Sequence, residues 1–152
     1  MIKVFQIVLT YIYGISFIYI GIQHYLNPVW FESIVPNFIG FPSFWVYLSG
    51  LFEIILGFLV MIPYTRKFAG VSLSLLLIIL YIANINMWVY DISIGDNKLT
   101  LLEHFLRGAF QLLLIIGAFF LSNIHLGNSI KKIYKTKTKM VAQQPTQVST
   151  NH

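Results

Sequence analysis

Four apolar stretches, each about as long as a bilayer core is thick, constrain this chain more than anything else in it. They run from Val4 to Leu26, Ser43 to Pro63, Phe68 to Tyr90 and Leu101 to Ile124. A membrane-spanning helix needs about 20 mostly apolar residues. Hydrocarbon offers no hydrogen-bond partner to a peptide group, so each stretch can cross only as a helix that satisfies its own backbone. Charged residues make up 10% of the sequence and hydrophobic ones 57%, with a mean hydropathy of +0.76. A water-soluble domain carries about 25% charged residues. An ordinary soluble globular protein is therefore excluded, and so is disorder over most of the length. The expectation is an all-α membrane protein, a four-transmembrane-helix bundle of antiparallel up-down topology. It occupies residues 1–126 as one domain, with a polar, lysine-rich, mostly disordered tail over 127–152.

The first stretch follows Lys3, as a signal peptide would, but its apolar run exceeds the 7–15 residues of a typical signal core. Its exit reads Gly21-Ile22-Gln23-His24, with no small-residue cleavage pattern, so it reads as a retained span. The segment Asn27–Pro42 holds Pro28, Pro36 and Pro42 together with Trp30, Phe31, Phe38 and Phe41, too apolar for a free loop. It is expected to lie in the interface or fold back over the helix ends, where aromatic rings sit well. Only Tyr64, Thr65, Arg66 and Lys67 separate the second and third spans, which forces an antiparallel hairpin. Gly95-Asp96-Asn97 supplies turn chemistry between the third and fourth. Thr100 with Glu103 matches a capping box at the start of the fourth helix.

Lysine and arginine counts orient the bundle. Lys3, Arg66, Lys67, Lys131, Lys132, Lys135, Lys137 and Lys139 flank one face; Lys98 lies on the other, and Arg107 lies inside a span. Basic flanks mark the cytoplasmic side. Both termini are therefore expected in the cytoplasm, in a multi-pass protein of the cell (inner or plasma) membrane. The net charge of +5 is accounted for by these flanks, and no basic patch interleaved with stacking aromatics points to nucleic acid. The absence of cysteine removes disulfides, thiolate metal sites and cysteine redox relays.

Polar residues inside the spans are the candidate functional groups, because a charge in the bilayer is costly and such residues usually face the bundle interior. Glu53 lies ~15 Å deep in the second span and Arg107 ~9 Å deep in the fourth, at 1.5 Å per residue. Gly50, Glu53 and Gly57 share a helix face, beside Ser49; small residues there admit a close neighbour. His104 and Gln111 flank Arg107. Asn84 shares its face with Met87, Trp88 and Asp91, and Gly14, Phe17, Gly21 and His24 form a stripe on the first span. Helical side chains lean toward the helix N-terminus. His24, Glu53, Asn84 and Arg107 can then converge at one level in the outer half. Glu53 with Arg107 is the natural ion pair; Glu103 with Arg107 is the local alternative. A polar cluster of His24, Ser49, Glu53, Asn84, Arg107 and Gln111 follows, with a structural or a functional role open to it. Asn86, on another face, suits a helix–helix hydrogen bond. His125 at the inner end suggests no site. No catalytic constellation, metal-ligand pair or phosphate-binding glycine loop is present.

The motifs GIQHYLNPVWFESIVP (Gly21–Pro36), YLSGLFEIILGFLVMIPYTR (Tyr47–Arg66), ANINM (Ala83–Met87) and LRGAFQLLL (Leu106–Leu114) resemble the DoxX-like family of small four-helix integral membrane proteins. The resemblance falls on His24, Pro28, Ser49, Gly50, Glu53, Gly57, Pro63, Arg66, Asn84, Arg107 and Gln111. It departs at Tyr25, where the family has Phe, and at Gly108-Ala109, where Leu-Pro is usual. It implies a four-helix membrane protein and, through the family's namesake in a thiosulfate–quinone oxidoreductase system, a loose link to membrane redox chemistry.

The leading expectation is a non-catalytic accessory subunit or partner of a membrane-associated, redox- or quinone-linked system, working with a membrane or extracytoplasmic protein. Two alternatives stay open: a small-molecule or quinone-binding oxidoreductase subunit, and a proton-coupled small-solute transporter using Glu53. No cofactor is evident, and no motif supports a quinone. Four spans are few for a carrier, so the transport alternative brings with it a homo-oligomer.

Overall fold

The structure, a computed structural model, describes residues 2–93 and 98–123. The Gly95-Asp96-Asn97 turn, His125 and the lysine-rich tail lie outside the described residues. Four long helices build the fold: α1 (Ile2–Leu26), α3 (Pro42–Met61), α4 (Arg66–Val89) and α5 (Leu101–Ser122). A short α2 (Pro28–Glu32) and a 3₁₀ turn (Asn37–Ile39) lie between α1 and α3. All four long helices are long and apolar enough to cross a membrane, and the protein is a multi-pass membrane protein.

The helix ends follow local chemistry. Pro28 and Pro42 open α2 and α3 at the first-turn positions where a missing N–H is harmless. Gly40 and Phe41 turn the chain into α3 with positive φ values of 69° and 48°. At α5 the expected capping box is formed. Glu103 N donates to Thr100 Oγ1 while Thr100 N donates to Glu103 Oε2 at 2.7 Å. The turn from α3 to α4 has the expected four residues but lies two positions earlier, at Ile62, Pro63, Tyr64 and Thr65. Arg66, read above as a flanking charge, starts α4 and is 3% exposed. Its Nε donates to the Val60 carbonyl at 3.0 Å and its Nη2 to the Met61 carbonyl at 3.2 Å. Thr65 Oγ1 donates to the Leu59 carbonyl at 2.6 Å. The last carbonyls of a helix have no intrahelical donor, so this Thr-Arg pair satisfies the end of α3 from outside.

Glycines set how closely α1 and α3 approach. A methyl on Gly14 would lie 2.6 Å from the Gly57 carbonyl oxygen, and one on Gly57 would lie 2.8 Å from that of Gly14. Gly21 and Gly50 form a second reciprocal pair, at 2.6 and 2.9 Å from each other's carbonyls. The two helices run antiparallel with their backbones in contact, as small residues permit in hydrocarbon. Between α4 and α5, also antiparallel, Gly70 meets Ala118 and Ser122 in the same manner. Tyr13 links the two pairs by donating its hydroxyl to the Leu114 carbonyl.

The apolar core lies at the end of the bundle near the α3–α4 turn, where Phe17, Val60, Leu73 and Leu121 are fully buried. The outward faces are apolar too: Phe5, Leu75, Ile79, Leu113 and Ile116 are all exposed. Apolar residues inside and outside are what a lipid-embedded bundle requires. The other end holds polar groups instead. The segment Asn27–Pro42 folds over it, held by Asn86 Nδ2, which donates to the Ile34 carbonyl at 3.2 Å. Asn86 thus secures this roof, and the helix–helix bond expected of it is not the one it makes.

Candidate functional site

At the roofed end a cavity of about 280 Å³ opens between the helices. Five of the six polar residues singled out from the sequence line it: His24 from α1, Glu53 from α3, Asn84 from α4, and Arg107 and Gln111 from α5. Phe17, Ile20, Phe31, Leu80 and Phe110 supply apolar wall.

Each polar group is placed by its own helix. His24 stands on the last turn of α1 and is buried; a methyl on Gly50 would lie 2.7 Å from its Cβ, so the glycine gap admits it. Its Nδ1 contacts the Ile20 carbonyl at 2.9 Å, one turn back. An N–H at Nδ1 donates there and leaves Nε2 as the acceptor. The ring stacks on Phe31 of α2, with centroids 3.8 Å apart and planes 21° apart. Glu53 is 3% exposed, and its Oε2 lies 3.3 Å from His24 Nδ1. Because that N–H points at Ile20, the contact is a close approach rather than a hydrogen bond. Among the described residues Glu53 Oε2 has no hydrogen-bond partner. A buried polar atom of this kind normally has one.

On the facing pair, Arg107 Nε donates to Asn84 Oδ1 at 2.7 Å. Gln111 Nε2 donates to the Leu77 carbonyl at 3.1 Å, which leaves its Oε1 as an acceptor. The expected Glu53–Arg107 ion pair is not formed: among the described residues Lys98–Asp91 is an ion pair, and the His24–Glu53 and His104–Asp91 approaches are ion pairs only with the ring protonated. Arg107 is held by Asn84 on its own helix pair and Glu53 approaches only His24 on its own, so the two face the same space without closing it. The Glu103–Arg107 alternative is not formed either, because Thr100 N and Oγ1 both donate to the Glu103 carboxylate.

Two further expectations are corrected. Ser49 does not line the cavity. Its Oγ donates to the Val46 carbonyl at 3.0 Å, and it belongs to the wall of a separate apolar groove between α3 and α4. His104 does not flank Arg107 in the site. It is buried 3.8 Å from Asp91 Oδ1, its ring parallel to that of Trp88. Sequence reasoning missed Phe31, whose only signal was an aromatic residue soon after the His24-to-Pro28 exit, and the capping role of Arg66.

The arrangement can receive an organic molecule of mixed character. It offers donors at Arg107, acceptors at Glu53 and Gln111, and aromatic walls. Small-molecule sites have this composition: mostly apolar lining with a few convergent polar groups. Among the described residues no three His, Asp or Glu side chains gather as ligands for a metal ion.

No curated protein and no solved structure matches the chain. Residues 13–122, from the middle of α1 to the end of α5, match the model of a family described as Domain of unknown function (DUF8561), and the chain belongs to that family.

Proposed function

We propose that this protein is a DoxX-like component of the cell membrane that holds a small molecule in the roofed cavity and serves a membrane-associated redox system as an accessory subunit. One observation carries the reading: all four long helices contribute polar side chains to a single cavity, where Glu53 and Arg107 face the same space without pairing. A purely structural polar cluster would gain most by joining its two charges. Here they are held apart at a space large enough for an organic group. The motif resemblance over Gly21–Leu114 supports the redox association, and the basic flanks support a cytoplasmic location for both termini.

The test is purification from native membranes in mild detergent, followed by mass spectrometry of co-purifying proteins and of an organic-solvent extract. A stoichiometric partner, and a small molecule that is absent when Arg107→Gln is purified in parallel, are the expected results. A protein recovered alone and empty at near-native expression sinks the proposal. The partnerless Glu53 Oε2 favours a second reading, proton-coupled movement through the cavity. In proteoliposomes that reading requires a proton flux that Glu53→Gln abolishes.

A further inference from the structure

A groove of about 400 Å³ lies between α3 and α4. Its lining is almost wholly apolar, from Phe52, Ile79, Ile82 and Trp45 among others, with the Ser49 hydroxyl satisfied on its own helix. Phe52, Ile79 and Ile82 are exposed on the outward faces of their helices, so the groove opens sideways, toward lipid in a bundle that spans a membrane. Its inner wall is shared. Leu80 and Ala83 line both the groove and the polar cavity, and the roof contributes Ile34 to the cavity and the next residue, Val35, to the groove. A polar chamber and an apolar slot thus lie side by side, sharing one turn of α4 and one roof.

We infer that the cavity's ligand is a single-chain amphiphile that enters from the bilayer between α3 and α4, its uncharged head in the cavity and its hydrocarbon chain along the groove. The inference rests on the cavity being a ligand site. The head is uncharged because it enters from hydrocarbon past an almost wholly apolar groove, where carrying a charge is costly. It carries a donor and an acceptor, since Glu53 Oε2 and Gln111 Oε1 await a donor and the Arg107 guanidinium awaits an acceptor. The chain follows from the groove's lining and from size. At about 280 Å³ the cavity alone falls just under the usual span of small-molecule sites, roughly 300–1,000 Å³, and the adjoining groove brings the two together within it.

The test uses the full protein in phosphatidylcholine nanodiscs and two photoreactive probes built on dodecanamide, whose amide has both a donor and an acceptor. One has its diazirine beside the head, the other at mid-chain. Adducts are mapped by mass spectrometry. The near-head probe should label cavity residues such as Phe110 and Gln111, and the mid-chain probe should concentrate on Phe52, Ile79 and Ile82. Excess unlabelled dodecanamide should displace both. Ala83→Phe and Ile79→Trp should lower mid-chain labelling of the groove roughly tenfold, a loss of one good contact's worth of binding. The substitution at Ile79 is on an exposed rim, so it tests the groove even if the one at Ala83 perturbs packing. Cavity adducts from the near-head probe, with mid-chain adducts spread evenly onto Ile116 and Phe119, would leave the ligand site standing and overturn the chain site. Groove adducts with none in the cavity would overturn both.

Discussion

Arg107 and Asn84 form a short, charge-assisted hydrogen bond inside the bundle, whereas Glu53 approaches only His24. The energetics should divide accordingly. A polar contact between membrane helices contributes about 1–2 kcal/mol in model systems. Asn84→Leu and Arg107→Gln should each lower stability in detergent, and a double-mutant cycle should return a coupling of that order. The same cycle on Glu53 and Arg107 should return a coupling within error of zero. A large Glu53–Arg107 coupling would mean that the pair closes in the membrane after all. The individual polar residues were legible in the sequence because a charge at membrane depth is conspicuous. Their pairing was not: depth along a helix fixes the level of a side chain but not which of several neighbours at that level it reaches.

Among the helices, α1 and α3 are held by glycines at two levels, and the prediction is position-specific. Gly57→Ala puts a methyl 2.8 Å from the Gly14 carbonyl, a backbone atom that cannot step aside. It should cost about 1–3 kcal/mol, the usual penalty of overpacking. Gly108→Ala meets only the Tyr81 hydroxyl at 3.3 Å, a movable side-chain tip, and should leave thermal stability close to wild type. Equal losses at both sites would show that helix propensity, not close approach, governs these positions. At the α3–α4 turn, Arg66→Lys keeps the charge but not the fork that reaches two carbonyls. A drop in melting temperature is expected, of a size matching about 1.5–3 kcal/mol for hydrogen bonds from a charged donor. A melting temperature unchanged by Arg66→Lys would reduce Arg66 to the membrane-flank charge it resembles in the sequence. That resemblance is why its capping role was hidden. The four spans themselves were plain, because length and hydropathy alone decide them, and the capping box at Thr100 was plain because its two residues are local. The roof over the cavity was readable only as an apolar, proline-rich segment, since its fixing bond from Asn86 to Ile34 joins residues far apart in the chain.

For the molecule as a whole, the distribution of lysine and arginine makes a prediction about sidedness. The sequence has no cysteine, so single cysteines can be introduced without background. A cysteine at Phe38, exposed on the roof, should react with a membrane-impermeant maleimide from outside the cell. One at Tyr64, exposed in the α3–α4 turn, should react only after the membrane is opened. The reverse pattern would overturn the cytoplasmic placement of the termini.

The way the charges are shared between helix pairs bears on how such a protein can be made. Helices leave the ribosome in order, and α1 with α3 can associate in the bilayer before α4 and α5 are complete. His24 and Glu53 sit within that first pair; Asn84 and Arg107 sit within the second. Each hairpin therefore enters lipid with its ionisable group already beside a polar companion, and neither must wait for the other to be tolerated. Had Glu53 and Arg107 depended on each other, every newly made first half would carry an orphan carboxyl group until synthesis ended. The cavity forms only when the finished halves dock, because its lining is drawn from all four long helices.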